Sequence, residues 1–260
     1  MATSSALNLS NADLPVDDQG HGIDLEGARR DLEPLTAQQR LAWAQEHFTR
    51  RFALTTSFGI QAAVLLHMAS ELGQRSGLRV PVIWVDTGYL PQETYRYADQ
   101  LRQLLELDLH VAQSPISPAR MEALHGQLWG TGRVEDLELY HRIRKVEPLD
   151  RMLTELQVSC WASGVRGHQT DHRRAMRPLD PVRQRWSLRP LLSWTNREVY
   201  YYIQDHGLPQ HPLFELGYST VGDWHSSAPD GAEASGRATR FGGLKQECGI
   251  HLAGVMGEGI

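Results

Sequence analysis

Cys248 stands in the run Gly242-Gly243-Leu244-Lys245-Gln246-Glu247-Cys248-Gly249-Ile250-His251, near the carboxyl end of the chain. Free cysteine is usually buried, yet this run cannot build a core. Gly236, Gly242, Gly243, Gly249, Gly254, Gly257 and Gly259 surround the thiol, and each raises the entropic cost of ordering. Lys245, Arg240 and His251 lie within a few residues of it, and neighbouring cations shift a thiol toward thiolate, its reactive form. The position suits chemistry rather than packing. Cys248 and His251 also have the spacing of two metal ligands, but a zinc site takes three or four, so no metal site is assigned. The other cysteine, Cys160 in Val158-Ser159-Cys160-Trp161-Ala162-Ser163, reads as an inert core residue.

Three further groups suit an anion. In Thr55-Thr56-Ser57-Phe58-Gly59-Ile60-Gln61, Gly59 lets the backbone turn tightly into a helix whose N-terminus attracts phosphate or sulfate, and Ser57 adds a hydroxyl. The loop is neither a Walker A nor a GxGxxG motif, and a simple capped turn is the competing reading. Asp86, in Trp84-Val85-Asp86-Thr87-Gly88-Tyr89, ends a strand at the same sheet edge. It serves either as a cap for the next helix or as part of a nucleotide pocket. Between Arg166 and Arg189 stand seven arginines (166, 173, 174, 177, 183, 185 and 189) against only Asp171 and Asp180, and Lys145 adds a second basic cluster with Arg142 and Arg144. Arginine forks grip phosphate oxygens, so this surplus reads as a pocket for a multiply charged anion. The formal charge of the whole chain is −5, which argues against general nucleic-acid binding.

The elements that must gather these groups follow from the hydrophobic pattern. Phe52–Thr56 and Val80–Val85 read as strands, with a helix from Ile60 to Leu72 between them closed by Gly73. A helix over Gln92–Leu107 leads to a short strand near Leu109–Val111, and helices are expected at Pro118–His125, Val134–Ile143 and Leu149–Leu156. A fourth strand is Val158–Ala162, and Thr195 caps a helix that Gly207 stops after His206. Thr36 caps an earlier helix with Leu41, Ala44 and Phe48 on its apolar face. The fold class is therefore α/β, an open and mostly parallel sheet with helices on both faces, with ligands bound at the carboxyl ends of its strands. Three regions are expected: an acidic, loosely ordered arm over 1–35, a nucleotide-binding domain over 36–207, and a loop-rich segment over 208–260 that carries Cys248. Two separated cysteines make no disulfide framework, and no signal peptide or membrane-spanning run is found. A cytoplasmic protein is expected.

Seven segments occur together and in order in one family: TTSFGIQAAVLL, VIWVDTGYLPQETY, IRKVEPLDRML, ASGVRGHQTDHRRA, RPLLSWTNREVYYYI, LPQHPLFELGYSTVGDWHSSAP and KQECGIH. From about Phe52 to His251 the chain resembles the assimilatory adenylyl-sulfate and 3′-phosphoadenylyl-sulfate (PAPS) reductases, which have the adenine-nucleotide α-hydrolase-like (PP-loop) fold. The resemblance implies that Ser57 and Gly59 belong to the modified PP-loop. It implies that Lys145, Arg166, Arg173, Arg237 and Arg240 surround nucleotide and sulfate, and that Cys248 is catalytic. Asp86 and His251 are counted with the substrate-binding residues.

Cluster-bearing relatives have a cysteine pair where this chain has Tyr140-His141, and a second in the loop where it has Asp223 and Ser226. A [4Fe–4S] site needs about four thiolates, so the resemblance points to the cluster-free PAPS type, with no bound cofactor. Gly167 stands where many relatives have a second arginine. The implied chemistry is attack of the Cys248 thiolate on the sulfuryl sulfur of PAPS, releasing adenosine 3′,5′-bisphosphate. Thioredoxin or glutaredoxin then discharges the S-sulfocysteine as sulfite. A glycine-jointed tail lets one thiol visit both partners, and a homodimer is implied. The alternatives are a cluster-free adenylyl-sulfate reductase, a PP-loop ATP-dependent transferase and a non-catalytic nucleotide sensor.

Overall fold

The computed structural model describes residues 14–232, 234–243 and 249–251. Period-two alternation in the first strand, β1 (Phe52–Thr56), divides the molecule into two layers. Phe52 and Leu54 enter one core with α1 (Leu25–Leu32), α2 (Ala37–Phe48) and α3 (Ala62–Ser76). Ala53 enters the other. β2 (Val82–Asp86) does the same, with Val82 and Trp84 on the first side and Ile83 and Val85 on the second. Next come α4 (Gln92–Leu104), β3 (Leu109–Gln113), α5 (Pro118–His125) and α6 (Val134–His141), then α7 (Glu147–Glu155) and β4 (Cys160–Ser163). The short α8 (Asp171–Arg174), the hairpin β5 (Leu179–Val182) and β6 (Arg185–Leu188), and α9 (Asn196–Asp205) complete the series. The sheet order is β3-β2-β1-β4-β6-β5. Every neighbouring pair is parallel except β5 with β6. Strand order reverses around β1 and β4, the point of such a sheet beyond whose carboxyl ends ligands bind.

Four expectations are corrected. The arm expected over 1–35 is a folded part of the molecule from Leu14 onward. Leu14, Ala28 and Leu32 join the main core, Trp186 Nε1 donates to Pro15 O at 2.8 Å, and Arg29 pairs with Asp180. The acidic composition hid an amphipathic turn. Gly73 does not stop α3; it lies inside the helix, where a Cβ would come within 3.2 Å of Arg79 Cα, and Gly77 at φ 71° ends it instead. The helices expected around Val134–Ile143 and Leu149–Leu156 are joined by a π-helical stretch, Arg142–Val146. Pro148, which follows at the second position of α7, has no N–H to give the ladder. Finally, the arginine-rich segment contains β5 and β6. Arg183 and Gln184 turn the hairpin at φ 55° and 57°, a conformation usually signalled by Asn-Gly.

Candidate active site

A cavity of about 210 Å³ opens at the carboxyl ends of β1 and β4. Ser57 and Gly59 form part of its wall, and Arg166, Arg173, Arg237 and His251 face it from other segments. Gly59 is not where the chain turns into the left-handed region; Phe58 is, at φ 47°. The strain is held by burial of the Phe58 ring, edge-on to Trp84 at 5.1 Å, and by its N–H, which donates to Thr56 Oγ1 at 3.0 Å. Gly59 is not sterically required: a Cβ there would make ordinary contact, 3.5 Å from Val221 O and 3.7 Å from Ser57 Oγ.

Arg166 follows β4 and is 3% exposed. Its Nη1 donates to Asn196 Oδ1 at 2.8 Å and its Nη2 donates to Gln61 Oε1. Burial, then repulsion from Arg173, lowers its pKa to about 10. Arg173 is brought alongside by α8, whose N-cap Thr170 accepts from Arg173 N at 3.2 Å. Its Nη1 donates to Gln169 Oε1. Buried guanidinium groups gathered at a cavity make a strong anion site, because the low local dielectric magnifies attraction.

His251 stacks on Trp161, with ring centroids 5.5 Å apart and planes 21° apart. Burial and repulsion from Arg173, Arg189, Arg237 and Arg183 keep its imidazole pKa well below the usual histidine range, so it is neutral near pH 7. The backbone just before it is clamped by Arg183, whose Nη2 donates to Gly249 O at 2.8 Å. Cys248 and Lys245 lie outside the described residues.

Asp86, Lys145 and Arg240 do not line this cavity. Asp86 is no helix cap either, since Pro91 holds that position on α4. Its carboxylate accepts from Gly88 N (2.8 Å), Tyr95 OH (2.7 Å) and Gln113 Nε2 (2.7 Å), which fixes the loop after β2. Lys145 extends from the π-helical stretch to Asp223, Nζ to Oδ2 2.6 Å. Thr87 Oγ1 also donates to Asp223, which is fully buried. Burial opposes its ionisation, but Lys145 and Arg240 outweigh this and hold the carboxyl well below the usual range. Arg240 rests on Gly222, where a Cβ would lie 2.2 Å from the guanidinium. The two groups meet through one loop: Ser219, Thr220 and Val221 line the cavity, while Gly222 and Asp223 receive Arg240 and Lys145.

Tyr140, His141, Asp223 and Ser226 are all buried. The two segments that hold them meet where His225 Nε2 lies 3.1 Å from Tyr140 OH. Sequence reasoning overlooked Gln61, Gln169, Asn196 and Asp223 as partners of the cationic residues. Gln61 belongs to the loop singled out for anion binding and Asn196 follows the Thr195 cap, but only the fold shows that they meet.

Most of the chain is similar in sequence to proteins of one kind. A sequence model described as Phosphoadenosine phosphosulfate reductase domain matches residues 51–229. The phosphoadenosine 5'-phosphosulfate reductase of Synechococcus sp. is 54% identical over 222 residues, 85% of this chain and 94% of its own. That of Shewanella oneidensis is 46% identical, covering 88% and 91%. A crystal structure of phosphoadenylyl-sulfate (PAPS) reductase from Candida auris, a phosphate complex, superposes with a TM-score of 0.68 at 27% identity, covering 83% of this chain and 99% of that one. FMN adenylyltransferase of Candida glabrata, at 14% identity and a TM-score of 0.56 over 81% and 70%, shares the fold alone.

Proposed function

The chain belongs to the phosphoadenosine phosphosulfate reductase family, and from that premise we propose that it reduces PAPS to sulfite and adenosine 3′,5′-bisphosphate with a thioredoxin-type dithiol. The Cys248 thiolate attacks the sulfuryl sulfur; a S–S bond forms, the S–O bond to the nucleotide breaks, and the bisphosphate leaves with the electron pair. One thiolate of the dithiol then attacks Cys248 Sγ and expels sulfite. Its second thiol resolves the mixed disulfide, so the two electrons come from the dithiol and Cys248 returns to the thiolate.

One observation supports this best: Arg166, Arg173, Arg237 and His251 converge on one cavity beside the Ser57–Gly59 loop. The guanidinium groups suit the phosphates and sulfate of the substrate. His251, being neutral, accompanies the thiol without adding charge. Lys145 and Arg240 act at one remove, by fixing the 219–223 loop through Asp223 and Gly222. The chain has only two cysteines, and Cys160 is fully buried with its thiol pushed up out of the reactive range. It makes a poor resolving thiol, and four thiolates for an iron–sulfur cluster are lacking. The reading includes a homodimer in solution.

Sulfite release from PAPS with reduced thioredoxin, compared with adenylyl sulfate and ATP, tests the assignment. Without thioredoxin, the protein should release at most one equivalent of bisphosphate and gain the mass of one sulfonate on the Cys248 peptide. Turnover without that adduct, sulfite production by Cys248→Ser, or stoichiometric iron in the purified protein would each overturn a part of the proposal.

A further inference from the structure

The fork of Arg166 is held by two neutral groups. Gln61 Oε1 and Asn196 Oδ1 accept from its two terminal nitrogens, and Gln61 Nε2 donates to Asn196 Oδ1 at 3.3 Å. A guanidinium accepts nothing, so each amide must turn its oxygen toward it. Gln61 immediately precedes α3 and Asn196 is the first residue of α9, so the guanidinium ties two helix starts beside the cavity. No carboxylate among the described residues pairs with Arg166, and the charge that acts on it most is the like charge of Arg173.

For stability alone, each position taken singly favours an acid, since a carboxylate–guanidinium contact outweighs the one long amide–amide bond, 3.3 Å, that glutamate at 61 would lose. Carboxylates are stabilising at helix N-termini, and one beside a buried guanidinium relieves an uncompensated charge. Aspartate and glutamate match asparagine and glutamine in shape, so sterics does not explain the neutral pair. We infer that Gln61 and Asn196 are positioning residues that orient the Arg166 fork while leaving its charge unneutralised, so that an anionic group of the ligand, phosphate or sulfate, supplies the counter-charge. The inference rests on the nucleotide reading above and deepens it. It identifies the two side chains that set anion affinity without being charged.

Asn196→Asp and Gln61→Glu, in the full chain, separate this role from a structural one. The readouts are the Kd for adenosine 3′,5′-bisphosphate by calorimetry, the ligand-free Tm, and KM against kcat for PAPS. Each variant should bind the bisphosphate about tenfold more weakly, because the new carboxylate occupies the fork. Tm should stay level or rise, and KM should rise with kcat retained. Asn196→Ala, which removes an acceptor without adding charge, should weaken binding less and lower Tm. Wild-type affinity in both acidic variants would sink the inference while leaving the reductase reading intact. A parallel loss of affinity and Tm in the acidic variants would also overturn it, since that is what a structural hydrogen bond gives. Wild-type protein that binds no bisphosphate would remove the nucleotide reading and this inference together.

Discussion

Arg173 and Arg166 are buried cations that face the cavity, so removing either side chain should affect ligand binding more than folding. Arg166→Ala and Arg173→Ala should each lower affinity for adenosine 3′,5′-bisphosphate by about 10- to 100-fold, as a charged hydrogen bond is worth roughly 1.5–3 kcal/mol. Calorimetry checks this, and wild-type affinity in both would remove the basic loop from the site. Three imidazoles, His211 buried and His225 and His251 partly so, shape the response to acid. His211, which accepts from Leu213 N and faces Thr94 Oγ1, has its pKa lowered to about 4 by burial. Burial lowers His225 to about 4 as well, and burial, then repulsion from its arginine neighbours, holds His251 well below the usual histidine range. Below pH 6.5 the unfolded chain binds protons that the folded one refuses, so stability is full above that pH and falls as pH drops toward 4. Between pH 7 and 5 each of His211 and His225 should cost about 1–2 kcal/mol. Denaturant melts of His211→Asn, which keeps an acceptor for Leu213 N, should show a shallower fall than wild type; an unchanged slope would refute the assignment.

The 219–227 loop depends on partners from distant elements, and substitutions there should report on all of them. Asp223→Ala leaves Lys145 buried without its counter-ion, and breaking such a pair costs about 3–5 kcal/mol; urea unfolding measures it. Gly222→Ala should displace Arg240 and destabilise by about 1–3 kcal/mol, with a rise in KM for PAPS, because Val221 and Thr220 belong to the cavity wall. What the sequence discloses of these elements depends on how local their causes are. β1, α5 and α9 can be read directly, since alternation, Ser117 with Pro118, and the Thr195–Glu198 box are local signals. The β5–β6 hairpin cannot, because its turn uses Arg183 and Gln184 with positive φ and its first strand contains Pro181. The same holds at the site. Arg166, Arg173 and Ser57 stand out by type and motif, whereas Asn196 and Asp223 acquire their roles from contacts with residues 30 and 78 positions away.

The whole molecule is drawn together at that hairpin, which receives both ends of the described chain. Arg29 of α1 bonds to Leu179 O at 3.0 Å and pairs with Asp180, which also holds Arg189. At the hairpin's turn, Arg183 reaches Gly249 O and Ile250 O. Deleting residues 1–35 should therefore destabilise the protein, with burial of Leu32 alone worth roughly 1.5–3 kcal/mol. Deletion of 1–13 provides the comparison, and equal Tm for the two truncations would show that α1 contributes nothing. The same arrangement governs the order in which the protein can mature on the ribosome. α1 is made first, but the strand it docks on follows about 150 residues later, a delay of roughly 8–30 s at 5–20 residues per second. Nascent chains stalled before Leu179 should leave the Ala28–Leu32 segment open to protease, while finished chains protect it. The hairpin's other partners, Gly249 and Ile250, emerge later still, so the anion pocket is completed only once His251 has been made, and a chain terminated before it carries its arginines without the wall that gathers them.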